Sequence, residues 1–164
     1  MLRRWLQHLT TTQITSRRCF PPATLTAIDS AITDSERHHR AEIRCVVETA
    51  LSAGHLVRGV TSAARAVELF SGLGVWDTAE NNGVLLYVLL AERNIEIVAD
   101  RGFTEHVPAA EWEGICAGME AAFAADQYEA GTLAALERIG AIAHRCFPSS
   151  GNNPNELPDR TVLL

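Results

Sequence analysis

The sequence predicts an α/β fold: a three-layer α/β/α sandwich around a small mixed sheet, in the order α-β-α-β-β-α-α. Three observations carry this prediction. Residues 42–48 alternate, Ile43, Cys45 and Val47 against Glu42, Arg44, Val46 and Glu48, at the period of a strand. Residues 83–90, GVLLYVLL, are apolar on both faces, as a central strand requires. Helical stripes stand before, between and after these strands, so both faces of the sheet are expected to be covered. A strand–helix–strand crossover makes the first two strands parallel.

The elements follow in order. Residues 1–20 are basic, hydroxyl-rich and free of acids, and are expected to be a basic N-terminal helix or arm; an organelle-targeting segment is the alternative. Pro21-Pro22 opens a helix predicted over 22–39, with Leu25, Ile28 and Ile32 on one face. Arg37, His38, His39 and Arg40 close it, where cations complement the helix dipole. After the first strand, residues 51–60 read as a connector with two glycines. Thr61 or Ser62 is the N-cap of a short helix whose stripe is Ala63, Ala66, Val67 and Phe70; Gly72 and Gly74 end it. The apolar strand 83–90, the turn Glu92-Arg93-Asn94 and the alternating strand 95–100 form an antiparallel hairpin.

Pro108 sits at an N1-like position of the next helix, whose stripe is Trp112, Ile115, Cys116, Met119 and Phe123. Residues 125–128, ADQY, break it. Leu133, Leu136, Ile139 and Ile142 mark a last helix ending near Phe147-Pro148. The domain is thus expected over 21–148, and 149–164, polar and rich in Pro and Gly, as a flexible C-terminal tail.

Composition narrows the function. The chain has 164 residues, suited to one core. Its net charge of −6 argues against a duplex nucleic-acid binder. No apolar run reaches the roughly 18 residues of a transmembrane helix. The four cysteines, at 19, 45, 116 and 146, form no CxxC pair. Cys45 and Cys116 read as small core residues, and a reducing, cytoplasmic setting fits.

Several residues also resemble a known family. Ala66 and Phe70 lie in a helix before an acidic loop that enters the strand through Asn82-Gly83. Asp100-Arg101-Gly102 closes the hairpin, and Tyr128 with Gly131 starts the late helix. Over Arg37 to Pro148 this pattern resembles the TPM domain family, whose members include a thylakoid-lumen protein, a photosystem II repair protein, a receptor modulator and many bacterial proteins. The resemblance implies an α/β/α sandwich, and points to calcium binding and acid phosphatase activity, both linked to members. Many bacterial members carry an N-terminal signal and a transmembrane segment and act beside envelope proteins. This chain shows neither segment and looks like a short soluble bacterial branch.

The topology brings candidate ligands together. Glu42 starts the first strand, Asn82 precedes the second, and Asp100 ends the third, so all three reach one end of the sheet. The loop carrying Asp77 and Glu80 feeds into it. Carboxylate and amide oxygens suit Ca²⁺ or Mg²⁺; a solvated loop whose Asn and Asp serve turns is the alternative. Arg101 suits an anion such as phosphate. No DxDx[TV] or CxxxxxR phosphatase motif occurs, and residues 72–74 lack the Lys-Ser/Thr of a P-loop. His38 and His39 are expected to cap a helix end rather than bind a metal with Glu42. Trp76 and Trp112 are expected to wall the core. The function expected is an accessory or interaction domain that binds a divalent cation and serves an unidentified protein partner, a membrane-associated one included. A low-turnover metal-dependent acid phosphatase and a purely structural domain are the alternatives.

Overall fold

The computed structural model describes residues 2–149, 151 and 154–164. Met1 of the expected arm and Ser150, Asn152 and Asn153 of the expected tail lie outside them. The sheet has four strands, β1 (Glu42–Glu48), β2 (Gly83–Leu89), β3 (Asn94–Ala99) and β4 (Val162–Leu163), in the order β3-β2-β1-β4. β1 runs parallel to β2, with Glu42 beside Gly83 and Glu48 beside Leu89. β2 and β3 are antiparallel, and β4 joins β1 in parallel through Val46–Val162 and Val47–Leu163.

Alternation in the strands builds two cores. Ile43, Cys45, Val47, Val84, Leu86 and Val88 face α3 (Pro22–Glu36), α6 (Ala109–Ala124) and α7 (Tyr128–Cys146). Val46, Leu85, Tyr87 and Leu89 face α4 (Ala53–Val57) and α5 (Ser62–Gly72). The sandwich is therefore three-layered, as the sequence predicts. Every residue of β1 and β2 is buried, and each fully buried Leu or Ile contributes about 1.5–3 kcal/mol. Phe103 fastens the end of β3 to the first core, its ring edge-on to Trp112 and Phe147.

The basic N-terminal segment forms two helices, α1 (Leu2–Thr10) and α2 (Gln13–Cys19). Four local expectations are corrected. Helix α3 stops at Glu36, three residues short of the expected end. The connector contains the short helix α4, capped by Ser52. Thr61 caps α5 by accepting from the Ala64 amide, but the buried stripe is Ser62, Ala66, Leu69 and Phe70; Val67 is 53% exposed. A polar residue at 62 faces inward because the Ser62 hydroxyl donates to Glu96 at 2.6 Å. Trp76 does not wall the core: it is 53% exposed and its indole N–H donates to Ser71 O.

The expected tail is likewise held where it is described. Its last residues form β4, the Leu157 amide donates to Glu42, and Thr161 donates to Asp29 through amide and hydroxyl, both at 2.7 Å. The segment is held by these bonds to Glu42, which is buried, and Asp29, which is half-buried.

Candidate functional site

The amino end of the parallel strands gathers the predicted ligands. Glu42 is the register partner of Gly83, and the Asp100 amide donates to Gly83 O at 2.9 Å. Glu42, Gly83 and Asp100 thus form one row across three strands, and alternation assigns this row to the α5 face. Gly83 is required there: a Cβ would lie 1.9 Å from Val75 O. The carbonyl of the incoming loop rests on the glycine, between the positions of the two acids.

Three oxygens at this end have no hydrogen-bond partner among the described residues: Glu42 Oε1, Asn82 Oδ1 and Asp100 Oδ2, all buried. Their companion atoms are fixed. Glu42 Oε2 accepts from the Leu157 amide at 3.0 Å. Asn82 donates through Nδ2 to Arg40 O at 2.6 Å, and its amide donates to Thr78 Oγ1. Asp100 Oδ1 accepts from the Arg101 amide at 2.7 Å, capping a single 3-10 turn, Arg101–Phe103. Burial raises the Glu42 carboxyl above the usual carboxylate range; the Leu157 and Glu156 amides oppose this, and the Glu156 and Asp159 carboxylates add to it. A buried oxygen without a partner is costly; Glu42 and Asp100 belong to the row on the α5 face, whereas alternation directs Asn82, one residue before Gly83, to the other face.

The remaining predicted residues are placed differently. Asp77 is exposed. Glu80 is half-exposed and bidentate with Arg40, at 2.7 and 2.9 Å, and that pairing holds its carboxyl below the usual range. Arg101 gives Nε and Nη2 to Asn81 Oδ1, at 2.9 and 2.7 Å, so an anion there has to displace Asn81. The loop is further locked at Asn81, with φ +53, and at Gly102, where a Cβ would meet Asn81 O at 2.5 Å. Among the described residues no three His, Cys, Asp or Glu side chains are grouped to hold a metal. A cation at this end has to draw on amide or main-chain oxygens as well as carboxylates.

His39 is fully buried and does not pair with Glu42. Its Nδ1 donates to Ala41 O at 3.0 Å and its Nε2 lies 2.9 Å from Ser35 Oγ; burial pushes it down to about 4, so it is neutral at physiological pH. His38 Nδ1 lies 3.0 Å from Asp34 O, as expected of a helix end. The sequence reading gave Glu36 no role. It is buried, accepts from the Ile43 amide at 2.7 Å, and burial raises its carboxyl to about 9. The signal was present in the spacing: Glu36 continues the i+4 row of Ile28 and Ile32, which are fully buried.

The model of the TPM domain matches residues 15–142. The chain belongs to the TPM domain family. This TPM domain is similar in structure to the BA42 protein of the psychrophilic bacterium Bizionia argentinensis, solved by NMR, with a TM-score of 0.76 and 25% identity. That match covers 87% of this chain and 93% of the other. It shares its fold with the N-terminal domain of the cg2496 protein of Corynebacterium glutamicum, at a TM-score of 0.55 and 17% identity, over 81% and 78% of the two chains. No curated protein matches it. Among the described residues no helix is long and apolar enough to cross a membrane.

Proposed function

We propose that this TPM domain binds a divalent cation, Ca²⁺ or Mg²⁺, at the amino end of β1 and β2, and serves a protein partner as a cation-responsive accessory domain. One observation carries the reading: Glu42 Oε1, Asn82 Oδ1 and Asp100 Oδ2 are buried at one end of the sheet without partners among the described residues. Hard cations take oxygen donors, and calcium takes six to eight of them. Two carboxylates and one amide oxygen supply part of such a set, with solvent left to complete it. Asp77 and Glu80 stand outside the buried row and contribute field rather than contact. Arg101, already held by Asn81, gives the acid-phosphatase alternative no free anion site.

The test is a titration of the metal-free protein with CaCl₂ and MgCl₂, followed by melting temperature and backbone NMR. A cation that binds only the folded state raises the melting temperature in proportion to the logarithm of its concentration, with shifts centred on residues 82–84 and 100–102. Asp100→Asn abolishes that rise while leaving the metal-free melt in place. A melting curve indifferent to millimolar cation removes this function.

A further inference from the structure

At the opposite end of the sheet, helix α1 is docked with its polar side inward. Arg4 donates through Nε to Glu92 at 2.7 Å and through Nη2 to Val60 O at 2.5 Å. His8, buried, accepts from the Leu51 amide at 3.0 Å, and its Nε2 meets Glu92 at 2.7 Å. Trp5 alone of its apolar residues packs against the second core. Leu2, Leu6 and Leu9 point the other way and are 75%, 53% and 70% exposed. Spaced i, i+4 and i+7, they form one stripe along the helix. Helices at protein surfaces ordinarily do the reverse, burying the apolar stripe and exposing the charges. Val57 of α4 and Ile14 of α2 add exposed apolar surface, at 76% and 80%.

The charge around this surface identifies its partner. Residues 1–20 carry Arg3, Arg4, Arg17 and Arg18 and no acid, in a chain of net charge −6. Arg3, Arg17 and Arg18 are exposed, as is Arg58 next to Val57. Glu92, the acid closest to the helix, is occupied by Arg4 and His8. Leucines on one face with arginines at the margins are the pattern of a helix that lies in a bilayer interface and prefers anionic lipid. α1 also precedes the residues matched by the family model, which begin at 15.

We propose that α1 is an interfacial helix that seats the domain on an anionic lipid surface, with Leu2, Leu6 and Leu9 in the acyl boundary and the exposed arginines at the headgroups. The helix stays docked through Arg4, His8 and Trp5 while it binds, which holds the carboxyl end of the sheet toward the lipid and the amino end away from it.

Flotation of the full chain with vesicles tests this. Wild type is expected to float with vesicles of equal parts phosphatidylglycerol and phosphatidylcholine, and to remain unbound with phosphatidylcholine alone. The triple variant Leu2→Ser, Leu6→Ser, Leu9→Ser is expected to lose at least about tenfold in partitioning with an unchanged thermal melt, because the replaced side chains are exposed. The triple variant Arg3→Gln, Arg17→Gln, Arg18→Gln is expected to lose the preference for phosphatidylglycerol. Wild type that fails to float overturns the proposal, as does a leucine variant that floats equally well. A wild-type dimer that does not float and that the leucine substitutions dissociate assigns the stripe to a second copy instead, which also overturns it.

Discussion

The two ends of the parallel strands treat buried charge in opposite ways. At the carboxyl end, Glu48 accepts from Arg65 through both oxygens, at 3.0 and 3.1 Å, and from the Tyr87 hydroxyl at 2.7 Å. Glu92 there is shared by Arg4 and His8. Among the described residues, Glu42, Asn82 and Asp100 at the amino end each keep one buried oxygen unpartnered, whereas at the carboxyl end it is the neutral Thr49 hydroxyl that does so and both acids are paired. A saturated network fixes one arrangement and has nothing left to offer a ligand. An unsaturated row costs stability and retains capacity. The chain thus locks one end of its sheet and leaves the other chemically open.

The sharpest way to break this contrast is to unlock the saturated end. Arg65→Ala strips both donors from the buried Glu48, and removing one partner of such a pair costs about 3–5 kcal/mol; urea unfolding measures it. A loss below about 1 kcal/mol would mean that the network does not lock that end. Next in size is Gly83→Ala, whose Cβ collides with Val75 O. Displacing that loop costs about 1–3 kcal/mol and removes the cation-induced rise in melting temperature, while Arg65 variants retain it.

A pH-dependent effect, absent near pH 4.5 and growing as pH rises, also separates the ends. Glu36 borders the amino end through the Ile43 amide, and burial raises it to about 9 from 4.5. Its folded pKa lies above its unfolded one, so its contribution is fully present below pH 4.5 and is lost as pH rises through about 9. Glu36→Gln keeps the acceptor for Ile43 and removes the proton. The variant is therefore expected to match wild type near pH 4.5 and to exceed it increasingly toward pH 9, in melts recorded across that range. The smallest effect is at Asp77, exposed and outside the buried row: Asp77→Asn leaves the melt unchanged and weakens the cation response only slightly.

Much of the central fold was legible in the residues, and the reason is physical. The alternation of residues 42–48 and the continuous apolar run of 83–90 depend on burial by neighbours in every case, and burial decides both. That Glu42, Gly83 and Asp100 share one row across three strands followed from strand order alone. What escaped were choices made by single long-range bonds. Ser62 turned inward for Glu96. Arg40 holds Glu80 of the acidic loop, and Asn81 holds Arg101 of the turn after β3. No spacing rule encodes such pairings, because each partner comes from a distant segment or an irregular loop.

Strand β4 imposes an order on synthesis. The β1 edge that it covers emerges from the ribosome early, and the Leu157 amide that bonds Glu42 Oε2 follows 115 positions later. Chains elongate at about 5–20 residues per second, so for some seconds each nascent domain carries a bare strand margin able to pair with its neighbours on the same message. The most vulnerable moment in the life of this protein thus falls before it is finished, and expression at a slower rate of initiation, which spaces the nascent chains apart, is the condition that favours a high soluble yield.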